Sequence, residues 1–444
     1  MLTKHDLVNY FLDGAKSKGS EKIGTEHEKF IYDKDDLSPI PFDGNRSISA
    51  ILKKFVQDGW EPVKEGSELI GATKDGASVT LEPGGQFELS GAPLINLHET
   101  CREINSHLSF TKSLEEEFNI GFLGIGFIPL GELKDMPKVP KKRYQQIMTP
   151  YMESLGGLGL EMMYQTCTVQ ANFDFFSEED MAKKVNVSAA LQPLATGLFA
   201  NSPFKNGAPN GHLSYRSLVW DNTDKNRTGI LPGMLKEKFS FEEYTDYLLG
   251  VPVYFIARNN SYIDTTKYTF KDLLDGKNNQ VKPDEITIDD WLTHVSTIFT
   301  EVRLKTYIEM RGADAGSYGS LCSLPALWTG LLYDPETLDA SHDIIKNWKL
   351  NDILNFKIES AKTGLDAIID NKSGWRITEE ILEIATHGLE KRKYFNVSGD
   401  NKTIFLEYLF NILKTKEVAS SRILNRFKGD WNSDFKKLYE ELSF

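Results

Sequence analysis

Cysteine is nearly absent from this chain: three occur in 444 residues, Cys101, Cys167 and Cys322. They form no CxxC pair and no Cys/His cluster at zinc spacing, which excludes a zinc-stapled or disulfide-built scaffold and leaves buried reduced thiols as the ordinary reading. Excess basic charge is missing as well. The formal net charge is −13, so the chain lacks the footprint that nucleic acid or an anionic membrane surface requires. Long hydrophobic runs are also missing: GFLGIGF at 121–127 and the stretch 194–200 are too short to span a bilayer. The first residues, MLTKHDLVNYFLDGAKSK, mix charge with periodic apolar positions instead of forming a continuous apolar segment, so a cytoplasmic location is expected. No internal repeat or low-complexity segment breaks the chain. Its 40% hydrophobic and 11% aromatic content supplies a large core, and the length admits one to three domains.

What the chain does have is a set of polar stripes with a period of two. In EVRLKTYIEMR, residues 301–311, Glu301, Arg303, Lys305, Tyr307, Glu309 and Arg311 alternate with Val302, Leu304, Ile308 and Met310. Side chains of a strand point alternately to opposite faces, so this reads as one strand with a charged face and an apolar one. Taken alone, it also admits the lesser reading of an antiparallel strand with one solvated side. Three other segments share the phase. Glu26 and Glu28 fall together in IGTEHEKF, with His27 turned away as a structural residue; Thr168, Gln170, Asn172 and Asp174 fall together in TCTVQANFDF. In VTLEPGGQFEL, Glu82 and Glu88 flank a Pro-Gly-Gly break that should bend the strand.

Carboxylates two residues apart on a strand lie about 6.6 Å apart and repel by roughly 2.5 kcal/mol at an effective dielectric of 20. A partly enclosed face carrying several such pairs needs cations. Lysine and arginine can supply them, but an all-oxygen set of Glu, Asn and Gln also suits Mg²⁺, above all when phosphate oxygens complete its octahedron. The expectation is a Mg-nucleotide site on a sheet.

The remaining pattern is organised around these stripes. Helices are predicted over 6–18, 47–57, 96–118 and 177–200, the last with a kink at Pro193, and a buried strand at GFLGIGF. A basic, Pro-punctuated connector, KDMPKVPKKRYQQIM, leads into a helix ending near Met152. Residues 201–233 read as a long aperiodic loop, and such loops inside compact proteins are functional or disordered. Arg216, Trp220 and Arg227 point to function, because disordered segments are poor in aromatics. From Leu321 onward the spacing is helical, as at Ile377, Ile381, Ile384, Ala385 and Leu389.

The common nucleotide fingerprints fail. GSEKIGT at 19–25 has phosphate-loop glycine spacing without the Gly-Lys pair, and GIGF at 124–127 lacks the third glycine of a dinucleotide loop. Binding through metal on a carboxylate-lined sheet remains.

IGTEHEKF, LEPGGQFELSGAP, TCTVQANFDF, ALQPLATGLFANSPF, SYRSLVWDNTDKNRTG and EVRLKTYIEMRGADAG, in that order, resemble the plant and proteobacterial type of glutamate–cysteine ligase, also called γ-glutamylcysteine synthetase. The resemblance implies an α+β fold: a curved antiparallel β-sheet lining the active site, helices packed outside, and a glutamine synthetase-like catalytic fold. It further implies a single catalytic domain over 1–444 with a helical C-terminal subregion at 335–444. The implied reaction is ATP-dependent ligation of the γ-carboxylate of L-glutamate to L-cysteine through a γ-glutamyl phosphate, the first step of glutathione biosynthesis. Mg²⁺ is the implied cofactor and ATP the co-substrate. Two alternatives are a related ligase joining glutamate to a different amine and a non-catalytic sensor of Mg-ATP or glutamate.

By the same resemblance, metal ligands come from Glu26, Glu28, Glu82, Glu88 and Glu309, with Gln170 or Asn172 contributing where related ligases place a histidine. Arg311, in phase with Glu309, is the choice for steadying the transferring phosphoryl group. Arg143 in PKKRY and Arg216 in SYRS are implied to hold the α-carboxylate of glutamate, which a bidentate guanidinium suits. Lys225 and Arg227, in the long loop, are candidates for nucleotide phosphate contact, and Met163, Tyr254 and Trp220 for the wall of a cysteine pocket. Cys101 and Cys322 stand where the family has a pair able to form a disulfide, and Thr265 where plant members carry half of a second pair. Plant members carry a transit peptide; its expected absence here accords with a bacterial cytosolic protein. The expected partners are the small molecules glutamate, cysteine and ATP, with no nucleic acid and no membrane, in a monomer or homodimer.

Overall fold

The structure, a computed structural model, describes residues 2–259 and 261–444. Among them, nine strands form one sheet: β1 (Ile23–Asp33), β2 (Glu61–Glu65), β3 (Glu68–Lys74), β4 (Ala77–Leu81), β5 (Phe87–Ser90), β6 (Ile120–Leu123), β7 (Thr168–Phe173), β8 (Val302–Leu304) and β9 (Ile308–Asp314). The spatial order is β8-β9-β7-β1-β5-β4-β3-β2, with β6 on the far half of β1, and every pairing is antiparallel. The long strand β1 is the hub. It pairs with β7 through Ile23–His27, with β5 through Glu26–Lys29 and with β6 through Phe30–Asp33.

Helices cover the apolar face. Among them are α1 (Lys4–Leu12), α2 (Ile48–Gln57), α3 (Leu97–Phe118) and α4 (Glu178–Leu198); Ser47, Asn96 and Ser177 cap the last three by accepting a backbone N–H at the open first turn. Later come α5 (Tyr215–Asp221), α6 (Tyr318–Leu332), α7 (Leu350–Thr363) and α8 (Gly374–Lys391). Val169, Ala171, Ile308 and Met310 from the sheet share one core with Leu191 and Leu194 of α4, Leu324 and Trp328 of α6, and Ile377 and Leu382 of α8. The helical C-terminal region is thus packed on the back of the sheet, as its spacing predicts.

Several boundaries depart from expectation. Residues 301–311 are a hairpin and not one strand: Lys305 N–H donates to Tyr307 O at 2.8 Å, and Arg303 lies opposite Glu309. The alternation survives because the two strands of a hairpin share a pleat. The 201–233 loop contains α5, whose Ser214 cap accepts from Ser217 N–H. The first helix ends at Leu12, and GFLGIGF is strand only through Leu123, although Ile125 and Phe127 are fully buried. Helix α4 continues through Pro193. No described helix is long and apolar enough to cross a membrane.

Candidate active site

The strand register gathers the polar stripes onto one face. Residues directly opposed in antiparallel strands point the same way, with Cβ atoms about 4.5–5.5 Å apart. One row runs Thr80, Glu88, Glu28 across β4, β5 and β1; the next runs Ser90, Glu26, Gln170; a third runs Asn172, Glu309, Arg303. Glu28 and Glu88 are therefore like charges placed face to face. Burial alternates as the sequence predicts: His27 and Lys29 are fully buried behind β1, while Glu26 and Glu28 look into a cavity of about 470 Å³. That is the size of a small-molecule site.

Few protein groups satisfy these acids. Glu28 Oε2 accepts from Thr168 N–H at 2.9 Å, Glu26 Oε1 from Asn172 Nδ2 at 2.9 Å, and Glu88 Oε2 from the Thr80 hydroxyl at 2.6 Å. Burial, with Glu309 and Glu88 nearby, pushes the Glu26 carboxyl up to about 7. Burial, with Glu88 and Glu82, drives Glu28 well above the usual carboxylate range, and burial with Glu82 raises Glu88. Glu82, in the Pro-Gly-Gly bend, lines the same cavity. Among the described residues no lysine or arginine closes to salt-bridge distance on Glu26, Glu28 or Glu88.

Glu309 behaves differently. Its oxygens lie 2.7 Å from Arg303 Nη2, 2.6 Å from Arg311 Nη1 and 3.6 Å from Lys305 Nζ. Burial acts to raise its carboxyl, but these three cations outweigh it and hold Glu309 well below the ordinary range. Arg311 Nη1 also donates to Gln170 Oε1 at 2.5 Å. A bulge in β9 between Met310 and Ala313 sets this aim, because an extra residue turns the strand locally. Two α4 side chains grip the bulge: Gly312 N–H donates to Gln192 Oε1 and the Thr196 hydroxyl donates to Gly312 O, each at 3.1 Å. Glycine is required there, since a Cβ would come within 2.5 Å of Gln192 Oε1 and Glu301 Oε2.

Arginines face the acids. Arg216, 3% exposed, enters from α5, donates from Nη2 to Arg311 O at 3.2 Å, and its guanidinium stacks 5.6 Å from the Trp220 ring. Arg311 lies 5.9 Å from the same ring. Arg143, which also lines the cavity, sits over the Tyr144 ring at 5.0 Å, beside Lys141, which burial and Arg143 lower to about 8. Lys141, Arg303 and Lys305 also line the cavity, although their residue types alone had assigned them no role. The basic run at 141–143 was the available signal for Lys141.

Other predicted residues lie elsewhere. Arg227 is fully buried, with Nε 2.7 Å from Asp224, Nη2 2.7 Å from Pro252 O and its plane 3.8 Å from the Tyr254 ring centroid. It fastens the loop and does not line the cavity; Tyr254 lies beneath it and Lys225 is exposed outside. Met163 and Trp220 do line the cavity. Asn172 reaches Glu26 from just behind the lining. Cys101 and Cys322 are neighbouring buried free thiols, with burial and the closeness of Cys322 pushing the Cys101 thiol far up. Thr265 is buried and donates to Val253 O at 3.1 Å.

Among the described residues no three His, Cys, Asp or Glu side chains close on one point as a finished metal cage. The hard oxygen donors Glu26, Glu28, Glu82 and Glu88 nevertheless fit Mg²⁺, which keeps waters and takes one or two carboxylates plus substrate phosphates. The raised proton affinities of Glu26, Glu28 and Glu88 are what buried carboxylates beside like charges exhibit.

An antiparallel sheet with an acid- and arginine-lined face, backed by helices, is the α+β architecture that the resemblance implies. The structure matches the crystal structure of a glutamate–cysteine ligase from Francisella tularensis in complex with AMP, with a TM-score of 0.56 over 97% of this chain and 88% of that one, at 13% identity. The family model described as Glutamate-cysteine ligase family 2 matches residues 22–441, and the chain belongs to that family of ligases. It is 46% identical to glutamate–cysteine ligase A of Oryza sativa subsp. indica, over all 444 residues and 88% of that protein. It is likewise 46% identical to the Medicago truncatula enzyme and 45% to that of Arabidopsis thaliana, over 85% and 83% of those proteins. All three relatives are chloroplastic, which overturns the cytoplasmic location expected from the sequence.

Proposed function

We propose that this ligase joins the γ-carboxylate of L-glutamate to the amine of L-cysteine at the expense of ATP, by way of a γ-glutamyl phosphate. The observation that carries the reading is the Glu28–Glu88 pair, two acids opposed on neighbouring strands, facing a cavity that Arg216, Arg143 and Arg311 also line. Free acid and amine do not condense in water, so the γ-carboxylate first attacks the terminal phosphorus of ATP and ADP leaves. The amine then attacks the acyl carbon, loses a proton, and phosphate departs. Bound Mg²⁺ supplies charge neutralisation to the triphosphate; Glu26, Glu28, Glu82 and Glu88 are the residues to hold it.

The chain's own groups do the positioning. Arg311, braced by Glu309 and Gln170, directs a guanidinium toward the transferring phosphoryl group. Arg216 and Arg143 hold the α-carboxylate of glutamate by forked hydrogen bonds. Glu309, already engaged by Arg303 and Arg311, joins a metal shell only by releasing one of them, so its first task is to order the arginines. Trp220 and Met163 wall the cavity and limit water. The core shared from Leu7 to Val418 supports one catalytic domain, with 335–444 its helical subregion.

Phosphate release from Mg-ATP and glutamate, measured with each candidate amine in turn, tests the reading. Release that rises only with cysteine is the expected result. Stimulation by a different amine instead, or no release with any, contradicts it.

A further inference from the structure

Lys357 lies outside the cavity, on α7, and is only 3% exposed. A buried ammonium needs partners. Its Nζ lies 2.6 Å from Glu301 Oε1 and also donates to Asp221 Oδ1. Glu301 directly precedes β8, and Asp221 is the last residue of α5, the helix carrying Arg216 and Trp220. One ammonium therefore ties the helix that bears Arg216 to the hairpin that bears Arg311. Burial works against its charge, but Glu301 and Asp221 prevail and raise the Lys357 ammonium above its ordinary value.

The second oxygen of Glu301 is placed differently. Glu301 Oε2 and Arg216 Nε have no hydrogen-bond partner among the described residues. Both residues, with Arg311 and Gly312, border a void of about 10 Å³, on the scale of a single water. Arg216 and Arg311 are the other cations that Glu301 feels. Freed from the lysine, this carboxylate has Arg216 as its alternative partner.

We propose that Lys357 is a positioning residue: by engaging Glu301 and Asp221 it keeps the Glu301 carboxylate off Arg216 and leaves that guanidinium free for the α-carboxylate of the amino-acid substrate. The inference rests on the assignment of Arg216 made above. Loss of Lys357 then weakens glutamate binding through Glu301, as competition for Arg216.

Steady-state kinetics of the full chain test this. Lys357→Met is expected to raise the KM for glutamate on the order of tenfold, the scale of one hydrogen bond to a charged group, and to leave the KM for ATP in place. In a Glu301→Gln background the same change is expected to add nothing, and Lys357→Arg to keep the wild-type KM. Equal shifts in both KM values, no shift in either, or effects that multiply in the double variant would overturn the proposal. Should Lys357→Met not fold, the neutral pair Glu301→Gln/Lys357→Met compared with Glu301→Gln alone decides: an equal glutamate KM supports the proposal and a further rise sinks it. Arg216→Lys, run in parallel, separates the two readings. If it leaves the glutamate KM unchanged, the assignment of Arg216 fails and this inference with it; if it raises the KM while Lys357→Met does not, only the inference fails.

Discussion

Arg303 and Glu309 stand directly opposite each other across the β8–β9 hairpin and form a two-pronged ion pair, with Arg303 Nη2 2.9 Å from Oε1 and 2.7 Å from Oε2. Glu309 is fully buried and also anchors Arg311, so Glu309→Gln leaves three cations facing one another. Turnover is expected to fall on the order of 10²-fold and stability in urea by about 3–5 kcal/mol. A variant with wild-type kcat and wild-type midpoint would remove Glu309 from the centre of the site.

Arg311→Lys keeps the charge but loses the planar guanidinium whose Nη1 reaches Gln170 and Glu309 together. Its expected signature is a lower kcat with the glutamate KM little changed, because the phosphoryl group and not the α-carboxylate is its partner. A rise in glutamate KM at constant kcat would reassign it to substrate binding.

Gly312→Ala tests the bulge. Its Cβ would meet Gln192 Oε1 and Glu301 Oε2 at 2.5 Å, so the strand must shift. About 1–3 kcal/mol of stability is expected to be lost, together with activity, since the bulge aims Arg311. An unaffected enzyme would show that the aim of Arg311 does not depend on it.

His294 gives a pH dependence distant from the cavity acids. Its Nε2 donates to Leu248 O at 2.9 Å, Phe270 stacks on its ring, and burial, with Arg227 contributing, holds the imidazole down at about 3. An unfolded histidine takes its proton near 6.5, so between these values the unfolded chain binds more protons and native stability falls as pH falls. Replacing His294 with Phe is expected to flatten the acid limb of stability by about 1.4 kcal/mol per pH unit across that window. Parallel limbs for variant and wild type would show that His294 is already protonated in the fold.

The legible part of this protein is what a period of two or 3.6 encodes locally. Glu26 with Glu28 and Gln170 with Asn172 share a face because each pair lies on one strand, and Ser47, Asn96 and Ser177 announce helices that do begin there. Alternation does not report turns, so the 301–311 hairpin read as one strand. Long-range partnerships leave no periodic trace either: Arg227 looked like a loop cation until Asp224, Pro252 and Tyr254 closed around it, and Lys357 finds Asp221 across 136 residues. The loop at 201–233 was legible as functional, but α5 within it was not, because seven residues are too few to establish a helical period.

Convergence of Glu26, Glu28, Glu82 and Glu88 on a divalent cation is the claim on which the account stands. Titration of Mn²⁺ into the protein with ADP, followed by electron paramagnetic resonance of the free ion, measures it without turnover. The account predicts binding by the wild type that weakens on the order of tenfold or more in Glu28→Gln and again in Glu28→Gln/Glu88→Gln, with both variants folded. Equal Mn²⁺ affinity in all three proteins would contradict it.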